Sequence, residues 1–300
     1  MAPVDRLTPL LQRFRVRTQL FHAGPLCGVT TFPAEPGRGF LHVLRRGEME
    51  LTVTDERGIP ERVQITRPSL LFFPRPSDHA FLNAPTEESD FTCATLDFDG
   101  GATHPLVQAL PSVIILPLDE VATLGPALDL LFSEVDNVRC GHPILADRLF
   151  EVVLIQLLRW MLDNPAHLAL NQSLLSGLAD QRLSPALVAV HEAPGESWTL
   201  QTMARAANMS RSAFASRFKD VVGQTPVDYL TEWRLTIAQG DLRAGTPVST
   251  VAAELGYTSA SAFSRAFAQR LGRSPRAWLA ADSGGIPTGD VSRASDSTRM

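Results

Sequence analysis

Arg211, Ser212, Ser216 and Lys219 fall on one side of a helical period, and Ala260, Ser261, Ser264 and Arg265 do the same further on. A guanidinium forks onto guanine, a serine hydroxyl donates to or accepts from several bases, and alanine lets a backbone approach base edges. The chemistry on offer is hydrogen bonding to bases, with Lys and Arg neutralising phosphates. A second set, Cys27, His42, His79 and Cys93, comes from four different strand-like segments. Cys27 and Cys93 could form a reversible disulfide if their Cα atoms lie within about 7 Å. They could equally be ordinary core, since free cysteine is among the most buried residue types. No nucleophile–base pair, phosphate loop or H-E-x-x-H is found.

The first set must be positioned by helices, and the sequence builds the same helical unit twice. Phe214, Phe218, Gly223 and Pro226 recur as Phe263, Phe267, Gly272 and Pro275, each 49 residues later. Both copies read F-x3-F-x4-G-x2-P, and self-similarity at a fixed period points to a repeated structural unit. Aromatics at i and i+4 share one helical face. The glycine suits the left-handed residue just past a helix end, and the proline prevents resumption. A short helix precedes each pair, carried by Leu200, Met203, Ala204 and Ala207, then by Val248, Val251, Ala252 and Leu255. Breaks follow at Asn208-Met209 and Gly256-Tyr257-Thr258, with Ser210 and Ser259 as N-caps. Helix, tight turn and a second helix with a small polar outer face form a helix-turn-helix pattern.

These two units, the joining helix around Tyr229-Leu230-Thr231-Glu232-Trp233-Arg234-Leu235, and the run Gly256-Tyr257-Thr258-Ser259 resemble the DNA-binding domain of AraC-type transcription regulators. The likeness covers roughly Leu183 to Ala281. It implies double-stranded DNA as partner, RNA polymerase as a second one, and no enzymatic activity; activation and repression are left open. Two departures lie in the joining helix, Gly240 and Asp241. Gly240 should weaken it by roughly 1 kcal/mol relative to alanine.

The net charge of −5 at first opposes a nucleic-acid partner. Residues 182–281, however, hold 11 Arg plus Lys against 7 Asp plus Glu, while the remainder holds 16 against 25. The basic excess of +4 lies where the repeats lie, as phosphate binding requires. The chain is 44% hydrophobic and 20% charged, ordinary for a globular protein. No apolar run approaches the roughly 18 residues of a membrane span, and no secretory leader is read at the N-terminus. Three cysteines make no secreted disulfide framework. A cytoplasmic location is expected.

Ahead of the repeats, Leu7, Leu10, Leu11 and Phe14 mark a short helix. Short strands are then expected at Cys27–Phe32, Phe40–Leu44, Glu48–Thr54, Arg62–Thr66, Leu70–Phe73, Phe91–Phe98 and Val113–Leu116, which predicts a β-sandwich or barrel. The run Pro74 to Asn83, with His79 inside it, is similar to the second motif of cupin barrels, P-x-G-x2-H-x3-N, with Pro76 in place of the glycine. The first cupin motif, H-x-H-x3-E, survives in part as His42, Leu44 and Glu48. Leu44 replaces its second metal-binding histidine. Many AraC-type regulators are similar in carrying such a barrel as a sensor for an effector, here unknown.

If His42 and His79 keep the cupin ligand positions, the resemblance brings them together inside the barrel. Cys27 and Cys93 could then complete a tetrahedral site of two cysteines and two histidines suited to Zn. The opening from Phe21 to Gly28 also resembles a subgroup of these regulators with paired cysteines and histidines in the sensor; His22 is read as a surface or turn residue. Metal site, thiol switch and inert core therefore stay open.

Two helical stripes follow, through Val121, Leu124, Leu128, Leu131, Phe132 and Val135, then through Leu145, Leu149, Val152, Val153, Ile155, Gln156, Leu157 and Met161. They pack on the barrel or form a homodimer interface, since the second is apolar around much of its circumference. The expected organisation is α+β: a cupin-like sensor barrel over residues 1–118, a helical pair and connector over 119–182, an AraC-type DNA-binding domain over 183–281, and a disordered tail over 282–300. The leading function is sequence-specific transcription regulation in response to a small-molecule, metal or redox signal. The alternatives are a cupin-type metalloenzyme with an attached helical domain, and a protein-interaction module.

Overall fold

A computed structural model describes residues 4–54, 59–83, 89–167 and 172–283. The expected disordered tail falls, from residue 284 on, outside the described residues, whereas residues 282 and 283 belong to a helix. The chain divides into two compact units, residues 1–237 and 238–300.

The larger unit begins with α1 (Thr8–Arg13), whose Leu7, Leu10 and Phe14 are buried as the stripe predicts. Among the described residues nine strands follow: β1 (Val16–Pro25), β2 (Gly28–Phe32), β3 (Arg38–Arg46), β4 (Met49–Thr54), β5 (Pro60–Ile65), β6 (Ser69–Phe73), β7 (His79–Asn83), β8 (Asp90–Phe98) and, after α2 (Pro105–Ala109), β9 (Ile114–Pro117). They form two antiparallel sheets, ordered β1-β8-β3-β6-β9 and β2-β7-β4-β5. The expected cupin-like sheet domain is present as two sheets sharing one core, which among the described residues do not close into a cylinder. Phe40, Leu44, Phe73 and Phe91 of the first sheet meet Phe32, Leu51, Val53 and Phe81 of the second. Strand β3 is buried on both faces along most of its length. Its Gly39 permits a close approach: a Cβ there would collide with the Phe73 carbonyl oxygen and press the Phe98 ring.

Two strands were not expected. β1 is an edge strand with a single buried side chain, Thr18, so its alternation is faint. β7 lies immediately beyond Pro74 and Pro76, inside the stretch that reads as a motif.

Helices α3 (Gly125–Asp136) and α4 (His142–Asp163) form the expected pair. α4 packs on β1, where the Asp147 carboxylate accepts from the Leu20 amide at 2.7 Å. Arg45 of β3 holds α3 through two 2.8 Å bonds to Asp136, with its guanidinium 4.4 Å above the Phe132 ring. Leu149, Val153, Leu157 and Met161 are buried, but Leu145 and Val152 of the same expected stripe are exposed, with Leu130 and Ile144.

The connector contains α5 (Leu174–Ala179), followed by α6 (Ser184–Glu192), α7 (Leu200–Ala206), α8 (Arg211–Val222) and α9 (Pro226–Arg243). Rings then run without a gap from the sensor to the first repeat. Phe98 meets His104 at 5.0 Å, His104 meets Phe14 at 5.8 Å, and Phe14 meets Trp233 of α9 at 5.2 Å. Trp233 stacks on His191 at 3.9 Å, His191 bonds the Tyr229 hydroxyl, and Tyr229 touches Phe218 of α8 at 5.5 Å. His104 Nδ1 accepts from the Leu106 amide and caps α2, so its Nε2–H is the donor to the Phe14 carbonyl.

The unit boundary lies inside α9, which continues through Gly240 to Arg243. The smaller unit adds α10 (Val248–Glu254), α11 (Ala260–Leu271) and α12 (Pro275–Ser283). Arg243 pairs with Asp282 at 2.8 Å and lies over the Trp278 ring, which ties α12 to the end of α9.

Two predictions follow from burial and space. Burial pushes His104 down to about 4 and His191 down to about 3. Both lie below the roughly 6.5 of a free imidazole, so the unfolded chain takes up these protons first as pH falls. Stability is complete above about pH 6.5 and declines on acidification, by up to about 1.4 kcal/mol per unit for each group. Urea midpoints at pH 7, 5.5 and 4.5 should fall in that order; a flat profile contradicts neutral burial. At Gly240 an added Cβ meets nothing within 4 Å. Gly240→Ala should therefore stabilise the chain by ~0.5–1 kcal/mol, read as a higher thermal midpoint, and a lower one shows that the helix needs glycine there.

Candidate nucleic-acid interface and sensor core

The two repeats are built by the same local devices. Ser210 accepts from the Ala213 amide at 3.3 Å and Ser259 from the Ala262 amide at 3.1 Å, so each caps its helix. Phe214 and Phe218, like Phe263 and Phe267, are fully or almost fully buried, with ring centroids 5.5 and 5.6 Å apart. Gly223 and Gly272 close the helices with φ of +88° and +74°. The turns differ by one residue. Asn208 at φ +51° and Gly256 at φ +73° occupy the same left-handed position 48 residues apart, and Thr258 restores the offset of 49 before Ser259.

Anchoring the aromatics inward fixes what faces out. Arg211, Ser212, Ser216, Lys219, Ser261 and Arg265 are exposed, while Ala260 and Ser264 are half-buried beside them. The structure thus places all eight on the solvent side of α8 and α11. Cations divide into two groups. Arg217 is committed to Asp180 at 2.6 Å, Arg234 to the Pro194 and Glu196 carbonyls at 2.8 Å, and Arg243 to Asp282. Arg205, Arg211, Lys219, Arg265, Arg273 and Arg276 are all exposed and enter no ion pair among the described residues. Arg205 and Arg276 were not singled out from the sequence, because a lone arginine outside the recognition helices carries no motif.

The sensor core brings some of the second set together. His42 and His79 are buried with their Nε2 atoms 3.0 Å apart. His79 Nδ1 lies 2.9 Å from the Ser77 carbonyl and must donate to it. In the neutral pair His79 Nε2 is then the acceptor, His42 Nε2–H is the donor, and His42 Nδ1 is left as a buried lone pair with no partner. The His79 ring is stacked between Phe73 at 3.9 Å and Phe32 at 4.8 Å. Burial pushes His79 down to about 4 and drives His42 well below the ordinary imidazole value, helped by the neighbouring His79 and His22.

Cys93 is fully buried on the same inner face, opposite His42 on β3 and opposite His22 on β1. Burial raises its thiol well above the ordinary range. Cys27 is exposed in the turn between β1 and β2. The set of two cysteines and two histidines is therefore not gathered into one site, and among the described residues no group of three or more His, Cys, Asp or Glu could hold a metal ion. The donors present do not fit tetrahedral zinc, because Cys27 stands outside the core that holds the other three. His22, read as a surface or turn residue, lies half-buried in edge strand β1 and not in a turn.

The family comparisons agree with this arrangement. The cupin family model matches residues 5–163, and a helix-turn-helix domain model matches residues 203–281. The chain belongs to the cupin family and carries an AraC-type helix-turn-helix domain. A Streptomyces lividans protein named as an AraC-like transcription regulator is 35% identical over 59% of this chain and 59% of its own length. The HTH-type transcriptional regulator AlkR of Acinetobacter baylyi is 33% identical over 57% of each chain. The RCS-specific HTH-type transcriptional activator RclR of Escherichia coli is 29% identical over 78% of this chain and 81% of its own. The cupin-family chain thus spans about three fifths of the length of the first of these relatives. Among its described residues no helix is long and apolar enough to cross a membrane.

Thiol accessibility checks the sensor core directly. Under native conditions a colorimetric disulfide reagent should titrate two thiols, Cys27 and Cys140, with Cys93 reacting only after denaturation. Rapid reaction of all three would show that the core is open.

Proposed function

We propose that this chain is a sequence-specific DNA-binding transcription regulator whose cupin domain receives a signal. One observation carries the reading: two equivalent helices present the same small and basic outer face, flanked by exposed arginines that no carboxylate among the described residues neutralises. In a folded protein an exposed cation without a partner is cheap, so single examples mean little. Their concentration on the repeated units, against a net negative remainder, is what a polyanionic partner requires. Each recognition helix would enter a major groove, with Ser212, Ser216, Ser261, Ser264 and Arg265 reaching bases. Arg211, Lys219, Arg273 and the capped helix N-termini would hold phosphates.

The regulator would act in the cytoplasm, on duplex DNA and in company with RNA polymerase, without catalysing a reaction. The names of its relatives as transcription regulators support this. Exposed Leu130, Ile144, Leu145 and Val152 on α3 and α4 support a homodimer formed through the helical pair.

Substituting Arg265→Ala should weaken binding to the cognate site by ~1–3 kcal/mol while leaving non-specific binding nearly intact. Wild-type affinity should also fall steeply as salt rises. A mobility-shift titration reads both effects. Affinity unchanged by the substitution removes Arg265 from base reading, and affinity for DNA independent of salt favours a protein partner for these helices.

A further inference from the structure

A cleft of about 830 Å³ opens beside α11 within the smaller unit, walled by the end of α9, by α10 and α11, and by the start of α12. Arg265 and Arg276 line it, with the hydroxyls of Ser249, Ser261, Ser264 and Ser274. Among the described residues no Asp or Glu does. Both arginines are exposed and enter no ion pair among the described residues. Ser274 accepts from the Ala277 amide at 3.4 Å, which leaves its O–H as a donor. Guanidinium forks and hydroxyls are the groups that hold phosphate oxygens. The cleft is continuous with the outer face of α11, because Ala260, Ser261, Ser264 and Arg265 belong to both. A helix lying in a major groove has sugar–phosphate backbone on either side of it, so a duplex engaged by that face lays a strand along the cleft.

The repeat offset of 49 shows how each unit supplies a cation beside its recognition helix. Ala260 corresponds to Arg211, and Arg276 corresponds to Val227. In the first unit the arginine is the first residue of the recognition helix, and the following helix offers an exposed valine. In the second unit the recognition helix begins with alanine, and the following helix supplies the arginine. The guanidinium has changed helices, and each unit keeps one. The following helices also differ in charge. α9 has Asp228 in its first turn, bonded to Thr225 at 2.6 Å, whereas α12 has Ala277 at that position.

We propose that the cleft between α11 and α12 seats a backbone phosphate of duplex DNA, held by Arg276 in the second unit as Arg211 holds its equivalent in the first. This role rests on the regulator reading and divides the labour of two arginines that line one cleft. Arg265, on the second turn of α11, reads a base. Arg276, from α12, sets how firmly any sequence is held.

The test uses the full chain, fluorescence anisotropy and two labelled duplexes, one of random sequence and one enriched by the chain from a random library. Affinities are read across a salt series. Arg276→Ala should weaken both duplexes by the same factor and make the slope of log K against log salt shallower by about 0.9 per bound chain. Arg265→Ala should act chiefly on the enriched duplex and lower its preference over the random one. Arg276→Lys should keep the slope. The exchanged pair, Ala260→Arg with Arg276→Val, copies the first unit and should restore it, with circular-dichroism melts confirming the fold of each variant. A wild-type slope in Arg276→Ala, a loss confined to the enriched duplex, or a folded exchanged pair that does not regain the slope overturns the phosphate seat and leaves the regulator reading standing. Saturable, Arg276-dependent binding of inorganic phosphate alone in calorimetry assigns the cleft to a free anion and overturns the seat as well. Wild-type chain that binds neither duplex overturns the regulator reading and the seat with it.

Discussion

The ring of Phe14 is the contact on which the larger unit depends. It ends a six-residue helix too short to be stable alone. Its backbone carbonyl accepts the Nε2–H of His104, and its ring lies edge-on to both His104 and Trp233. Through these contacts α1 becomes a wedge between the sheets and α9. The same wedge explains why two buried imidazoles, His104 and His191, stay neutral. Each is enclosed by rings, and His104 is fixed as acceptor at one nitrogen and donor at the other. A proton added there would break the cap on α2 as well as charge the core.

The repeated units rely on a division of labour within each helix. The phenylalanine pair and the glycine cap are spent on packing and termination, which frees the outer face to be small and polar. The one-residue difference in the turns shows where the repetition is loose. The left-handed residue is Asn208 in one copy and Gly256 in the other, and the additional Thr258 is absorbed before the serine cap. Caps and aromatics stay in step because they set the helix; the turn has only to reverse the chain. Arginines divide by the same logic. Arg217 lies on the recognition helix yet is turned back to Asp180, whose carboxylate it and two backbone amides hold charged against the cost of burial. Position on a helix in the sequence does not reveal which cations are committed in this way.

Much of this was readable from the residues. The eight outward-facing side chains, the serine caps, the glycine ends and the joining helix all follow from local periodicity, and the structure places them as expected. The sheets were half legible. Central strands such as β3 and β6 declare themselves by hydrophobic runs, whereas edge strand β1 buries one side chain and otherwise alternates only between half-buried and exposed positions. That omission had a consequence, because β1 carries His22 to a place opposite Cys93. The proposed zinc set failed for a related reason. Sequence supplies residue types, but only strand register decides which of them share an inner face, and register placed Cys27 in an exposed turn. The division of contacts inside α9 was invisible to motif reading, since nothing in an uninterrupted helical pattern marks where packing changes sides.

The sensor core itself argues against a simple view of how a signal enters. His42 and His79 are bonded to each other and stacked among phenylalanines, with one unpaired acceptor at His42 Nδ1. An unsatisfied buried acceptor costs about 1–3 kcal/mol, and the core bears that cost beside a thiol that burial keeps protonated. Such a centre is poised to respond to anything that supplies a donor or alters the thiol, but only if the phenylalanine packing opens first. Cysteine oxidation or ligand entry at the core would have to repack two sheets.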